Sequence, residues 1–77
     1  MQRYRNLNGD AGVVAYEIRP GAIVLRFRDG RTYLYDQTAP GGDHVAAMQQ
    51  RAQAGRGLTT YVNQHVRENY AARLDRA

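Results

Sequence analysis

Residues 13–36 read VVAYEIRPGAIVLRFRDGRTYLYD, and the punctuation of that stretch decides the fold. Three runs rich in β-branched and aromatic residues are separated by Pro20-Gly21 and Asp29-Gly30. Proline presets the backbone of a turn's second residue and glycine accepts the positive φ that several turns require, so each pair marks a reversal between antiparallel strands. In the first run Val14, Tyr16 and Ile18 share a face; in the second, Ile23, Leu25 and Phe27 do. With Pro20-Gly21 at the centre of the hairpin, Ile18 opposes Ile23, Tyr16 opposes Leu25 and Val14 opposes Phe27. Both apolar stripes then lie on one side.

The face taken by Tyr33 and Tyr35 depends on one residue of turn length. With a two-residue turn at Asp29-Gly30, Leu25 opposes Leu34 and the tyrosines fall on the outer face beside Arg26, Arg28 and Arg31. That is a stacking platform ringed by guanidinium groups, the composition of a sheet that takes single-stranded RNA. With a three-residue loop, Arg28-Asp29-Gly30, and Gly30 left-handed, Leu25 opposes Tyr33, Ile23 opposes Tyr35 and the tyrosines are core. A chain of 77 residues with one Phe and no Trp needs its tyrosine area inside to offset chain entropy, which favours the second arrangement.

Beyond residue 36, Thr38-Ala39-Pro40-Gly41-Gly42 reads as a loop. Asp43 suits the N-cap of a helix carrying Val45, Met48, Gln49 and Ala52 at i, i+3, i+4 and i+7, ended by Gly55 and Gly57. Thr59 or Thr60 would cap a second helix with Val62, Val66, Tyr70 and Leu74 along one face. The expected class is α+β: a three-stranded antiparallel β-meander followed by two α-helices packed on one face, in a single domain over 1–77 with its core at about 12–74. Residues 1–10 and 75–77 are expected to fray. Val13, Ala15, Val24 and, in one register, Leu34 would sit on a sheet face with nothing to cover it.

Composition narrows the function classes. Eleven basic residues, every one arginine, against seven acidic give a net charge of +4, a mild bias toward polyanions. The absence of cysteine excludes disulfides and thiolate metal sites, and the absence of serine removes the commonest nucleophile. His44 and His65 lack the spacing of a metal-ligand pair, and His65 with Glu68, or Asp43 with His44, reads as a solvated helix face. Neither metal nor cofactor nor enzymatic activity is expected. No stretch approaches the roughly 20 apolar residues of a membrane span, and the start, Met1-Gln2-Arg3-Tyr4-Arg5, lacks the apolar core of a signal peptide. A cytoplasmic protein without membrane contact is the expectation.

An ordered set of residues then carries a resemblance: Tyr16; Phe27-Arg28-Asp29-Gly30 leading into Tyr33-Leu34-Tyr35; Ala39-Pro40; Gly55 and Gly57; and Tyr61-Val62-Asn63 followed by Val66 and Tyr70. Over about residues 12–70 this resembles the KTSC domain, a short module at the C-terminus of some lysyl-tRNA synthetases that also occurs as free-standing small bacterial proteins. Two features depart from the family: Val62 stands where an aromatic is usual, and Gly55–Thr60 is slightly longer than its counterpart. The resemblance implies a βββαα fold and, through the synthetase neighbours, binding of tRNA-like RNA. The family has no established activity.

Two functional readings follow. In the first, the chain binds RNA or another nucleic acid, with Arg26, Arg28, Arg31, Arg56 and Arg67 on phosphates and Tyr33 or Tyr35 stacking on bases if exposed. Gly55-Arg56-Gly57 would present amides and a guanidinium to a phosphate, and Asn63 would bond either a ligand or a loop carbonyl. In the second, the uncovered sheet face or an edge strand docks a partner protein or a second copy, giving a homo-oligomer.

Overall fold

The computed structural model describes residues 1–7, 9 and 12–75. One antiparallel sheet, in the order β1-β2-β3-β4-β5, contains β1 (Gln2–Arg3), β2 (Val13–Arg19), β3 (Ala22–Phe27), β4 (Thr32–Tyr35) and β5 (Ala72–Arg73). Helix α1 spans Gly42–Ala54; α2, Leu58–Tyr61, runs on into a single π-wound turn, Val62–Val66. The α+β class is as expected, but the sheet has five strands rather than three. The two additions are short and pair with distant residues: Gln2 and Arg3 oppose Tyr16 and Ala15, and Arg73 and Ala72 oppose Tyr33 and Leu34. Neither has the length to show an alternating pattern.

The first residues are held down, contrary to the expectation of fraying. Tyr4 is buried, its hydroxyl accepts the Leu58 amide at 3.1 Å, and its own amide donates to the Val14 carbonyl. Arg5 donates to the Gln53 carbonyl at the end of α1, and the Leu7 amide donates to the Gly55 carbonyl. Asp75 is also fixed, by the Thr32 amide and Arg73. Residues 8, 10, 76 and 77 of those expectations lie outside the described residues.

In the first hairpin Ile18 opposes Ile23 and Tyr16 opposes Leu25, as the turn dictates, but Val13 rather than Val14 opposes Phe27. A β-bulge between Val13 and Ala15 inserts one residue and inverts the facing of what precedes it. Val13 is thereby moved from the reverse face to the core, and its amide donates to Thr59 Oγ1 at 3.1 Å. The second hairpin takes the three-residue loop: the Phe27 amide bonds the Arg31 carbonyl at 2.8 Å and Gly30 has φ 91°. Leu25 therefore opposes Tyr33 and Ile23 opposes Tyr35.

Ile23, Leu25 and Tyr35 from the sheet meet Val45, Met48 and Ala52 of α1 and Leu58, Val62 and Val66 of the second helical segment. Enclosing an aliphatic chain such as Leu25 contributes about 1.5–3 kcal/mol. Asp43 lies inside the first turn of α1, not at its N-cap, which is Gly41. The second helical segment starts behind Gly57, because Thr59 is committed to Val13. It stops at Val66 instead of continuing to Leu74: the amides of Ala71 and Leu74 bond the carbonyls of Leu34 and Thr32, and the sheet claims this stretch. On the reverse face Val24 is only 1% exposed, so the apolar patch expected there is smaller than the alternation suggests.

Candidate nucleic-acid interface

A cleft of about 370 Å³ opens where the β3–β4 turn, β4 and β5 meet the π-wound turn. Its apolar wall is aromatic. Tyr33 and Tyr70 stack at 4.4 Å between centroids with planes 32° apart, and Phe27 meets Tyr33 edge-on at 5.8 Å. Tyr33 reaches this position because the three-residue loop turns it to the helix side, where it is half-buried. Tyr70 is folded back onto it by the chain that leads into β5.

The rim is polar and mostly cationic: Arg31, Arg67, Arg73 and Asn63, with Asp29 and Glu68 between them. The π-wound turn closes with the Arg67 amide on the Val62 carbonyl at 2.7 Å, a five-residue step. Such wide turns recur at functional sites, and here Val62, Asn63 and Arg67 all border the cleft. Arg31 is 3.4 Å from Asp29. Arg73 makes a two-pronged contact with Asp75, whose carboxylate also accepts the Thr32 amide at 3.0 Å. The Arg73 hydrogen bond, followed by that amide, holds the Asp75 carboxyl down at about 2, and Asp75 in turn raises the pKa of Arg73. Arg67 has no acidic partner among the described residues. Aromatic faces beside a free, planar cation can stack a base and grip its phosphate.

The residues singled out from sequence divide into two groups. Arg31, Tyr33, Asn63 and Arg67 come together at the cleft. Arg28 lies on the other flank of the β3–β4 turn, over Gly12. Arg26 alternates with Leu25 and points to the reverse face, away from the cleft. Tyr35 is core: its ring is fully enclosed, its hydroxyl has no hydrogen-bond partner, and burial first, then Tyr33 and Tyr70, push its pKa up. It offers nothing to a ligand. Arg56 is exposed in the α1–α2 connection and does not border the cleft.

Phe27, Tyr70 and Arg73 complete the cleft without having been assigned to it from sequence. Tyr70 was placed on a helix face, and Arg73 gave no signal before β5 was known. A second cluster also escaped the sequence. His44 Nδ1 shares a 2.6 Å hydrogen bond with the Tyr61 hydroxyl, His65 lies against the Tyr61 ring at 4.5 Å, and the Arg51 guanidinium sits 4.4 Å over that ring. Among the described residues no three His, Cys, Asp or Glu side chains converge as metal ligands. No described helix is long and apolar enough to cross a membrane. Compared with protein-family models, curated proteins and solved structures, the chain matches none.

Proposed function

We propose that this chain is a binding module for single-stranded nucleic acid, RNA in the first place, and that the cleft takes one unpaired base with its phosphate. The stacked Tyr33–Tyr70 pair beside the unpaired Arg67 is the observation that supports this most directly. A duplex keeps its base faces stacked inside, so an aromatic wall of this kind favours a base already free of its partner. The resemblance to the KTSC domain points the same way. Compared with the sequence reading, the proposed contact set loses Arg26, Arg56 and Tyr35 and gains Tyr70, Phe27 and Arg73.

Fluorescence anisotropy of a labelled, mixed-sequence RNA hexamer provides the test. Affinity should fall between about 50 and 200 mM salt, with log K dropping by about 0.7 per phosphate neutralised for each tenfold rise in salt, or about 2 for three cleft arginines. A flat titration at low salt would refute the reading. A docking surface for protein draws less support, since Val13 has turned into the core, Val24 is enclosed and β1 lies along part of the outer edge of β2.

A further inference from the structure

Three concavities on this protein share walls. The cleft is bounded at its turn end by Phe27 and Asp29. Those same residues, with Arg28 and Gly12, line a shallow saddle of about 400 Å³ over the tip of the β3–β4 turn. Arg28 then also forms one side of a recess of about 530 Å³, whose other walls include Arg3, Arg5 and Asn6. The floor is therefore continuous, from Tyr70 around the hairpin tip to the N-terminal strand.

The two ends differ in charge. In the cleft Asp29 and Glu68 accompany the arginines. The recess presents three guanidinium groups, and among its described lining residues there is no carboxylate. Arg3 and Arg28 have no ion-pair partner among the described residues, while Arg5 uses one nitrogen on the Gln53 carbonyl and keeps the rest of its fork. The Arg28 backbone is pinned by its amide on the Gly12 carbonyl at 2.9 Å, which fixes where its side chain starts. Three like charges around one concavity repel each other unless an anion enters, and a phosphate suits guanidinium geometry. One phosphate cannot occupy both the recess and the cleft.

We propose that the ligand path leaves the cleft, crosses the saddle and ends in the Arg3–Arg5–Arg28 recess, so that the ligand is a single strand of three or more nucleotides rather than a mononucleotide. This rests on the nucleic-acid reading above. Gly12 belongs to the path because it leaves the saddle without a side chain, and the paired Asp29 keeps its charge engaged with Arg31.

Calorimetric titration of the full chain with uridine oligomers of one, two, four and six residues separates the two claims. The expected result is a gain of more than tenfold from the dimer to the tetramer, beyond the few-fold statistical advantage of extra registers, with little added by the hexamer. In the Arg3→Ala/Arg28→Ala double variant, whose fold is checked by its amide spectrum, the tetramer should lose that gain. The salt slope should shrink by about 1.4, two phosphates' worth, and dimer affinity should stay within about twofold. A hexamer that binds no tighter than a dimer, or a tetramer indifferent to the double variant, overturns the extended path while leaving the cleft reading standing. If no oligomer binds at low salt, both are lost.

Discussion

Tyr33 on β4 and Tyr70 just before β5 stack with ring centroids 4.4 Å apart, and this pair joins the sheet to the chain that returns along its edge. Tyr70→Ala removes both the stack and the edge contact with Tyr35, so it should lower stability by about 2 kcal/mol. The amides of Ala71 and Leu74, which bond β4, should exchange faster. Tyr70→Phe keeps the ring and should stay within about 0.5 kcal/mol. Denaturant melts with amide exchange check this. Loss of the stacking face should also weaken RNA binding by about 1–3 kcal/mol.

Tyr35 encloses a hydroxyl with no partner. Tyr35→Phe removes that desolvated group and should leave stability unchanged or raise it by about 1 kcal/mol. The phenol's pKa is raised by burial above its ordinary 10.0. A group whose folded pKa is raised stabilises fully below the unfolded value, and the contribution is lost as pH rises from about 10 toward the folded value. Wild type should therefore lose stability above pH 10 more steeply than Tyr35→Phe, which urea midpoints at pH 9 and 11 will show.

Asp75 presents the opposite sign. Its carboxyl is held at about 2, against an ordinary 3.8, by Arg73 and the Thr32 amide. A depressed pKa contributes above 3.8 and is lost as pH falls through about 2. Acidification from pH 4 to 2 should release β5 from β4, seen as loss of protection at the Thr32 amide. In Asp75→Asn that amide should already be less protected at neutral pH and should change little on acidification.

Gly12 faces Thr59 so closely that an added Cβ would lie 2.6 Å from the threonine methyl. Gly12→Ala should cost about 1–3 kcal/mol through this clash. Thr59→Ser deletes the methyl but keeps the oxygen that accepts the Val13 amide. The double variant should be more stable than the two single losses added together predict, by about 1 kcal/mol, in a denaturant double-mutant cycle.

The central hairpins were legible because their information is local. Pro20-Gly21 sets the Ile18–Ile23 register, and the alternation of Ile23, Leu25 and Phe27 finds the buried face. The tyrosine face turned on the loop at Arg28-Asp29-Gly30, where packing demand rather than turn chemistry favoured the answer observed. The bulge at Val14 was invisible because Val13 and Val14 are chemically alike, and only the hydroxyl of Thr59, 46 residues away, selects between them. Half of the candidate site was legible, with Arg31, Tyr33, Asn63 and Arg67 named in advance. Arg3, Arg5 and Arg73 were not assigned, because two-residue strands that form only against distant partners leave no periodicity.

The wide turn at Val62–Val66 has a consequence for chain length. Removing any one of Asn63, Gln64 or His65 would let ordinary winding resume, and each residue of an α-helix rotates by about 100° around the axis. Arg67 and everything after it would then leave Val66 at a different azimuth, and Tyr70 would no longer arrive over Tyr33. The cleft owes its alignment to one surplus residue, so a shorter sequence could keep this core and have no cleft.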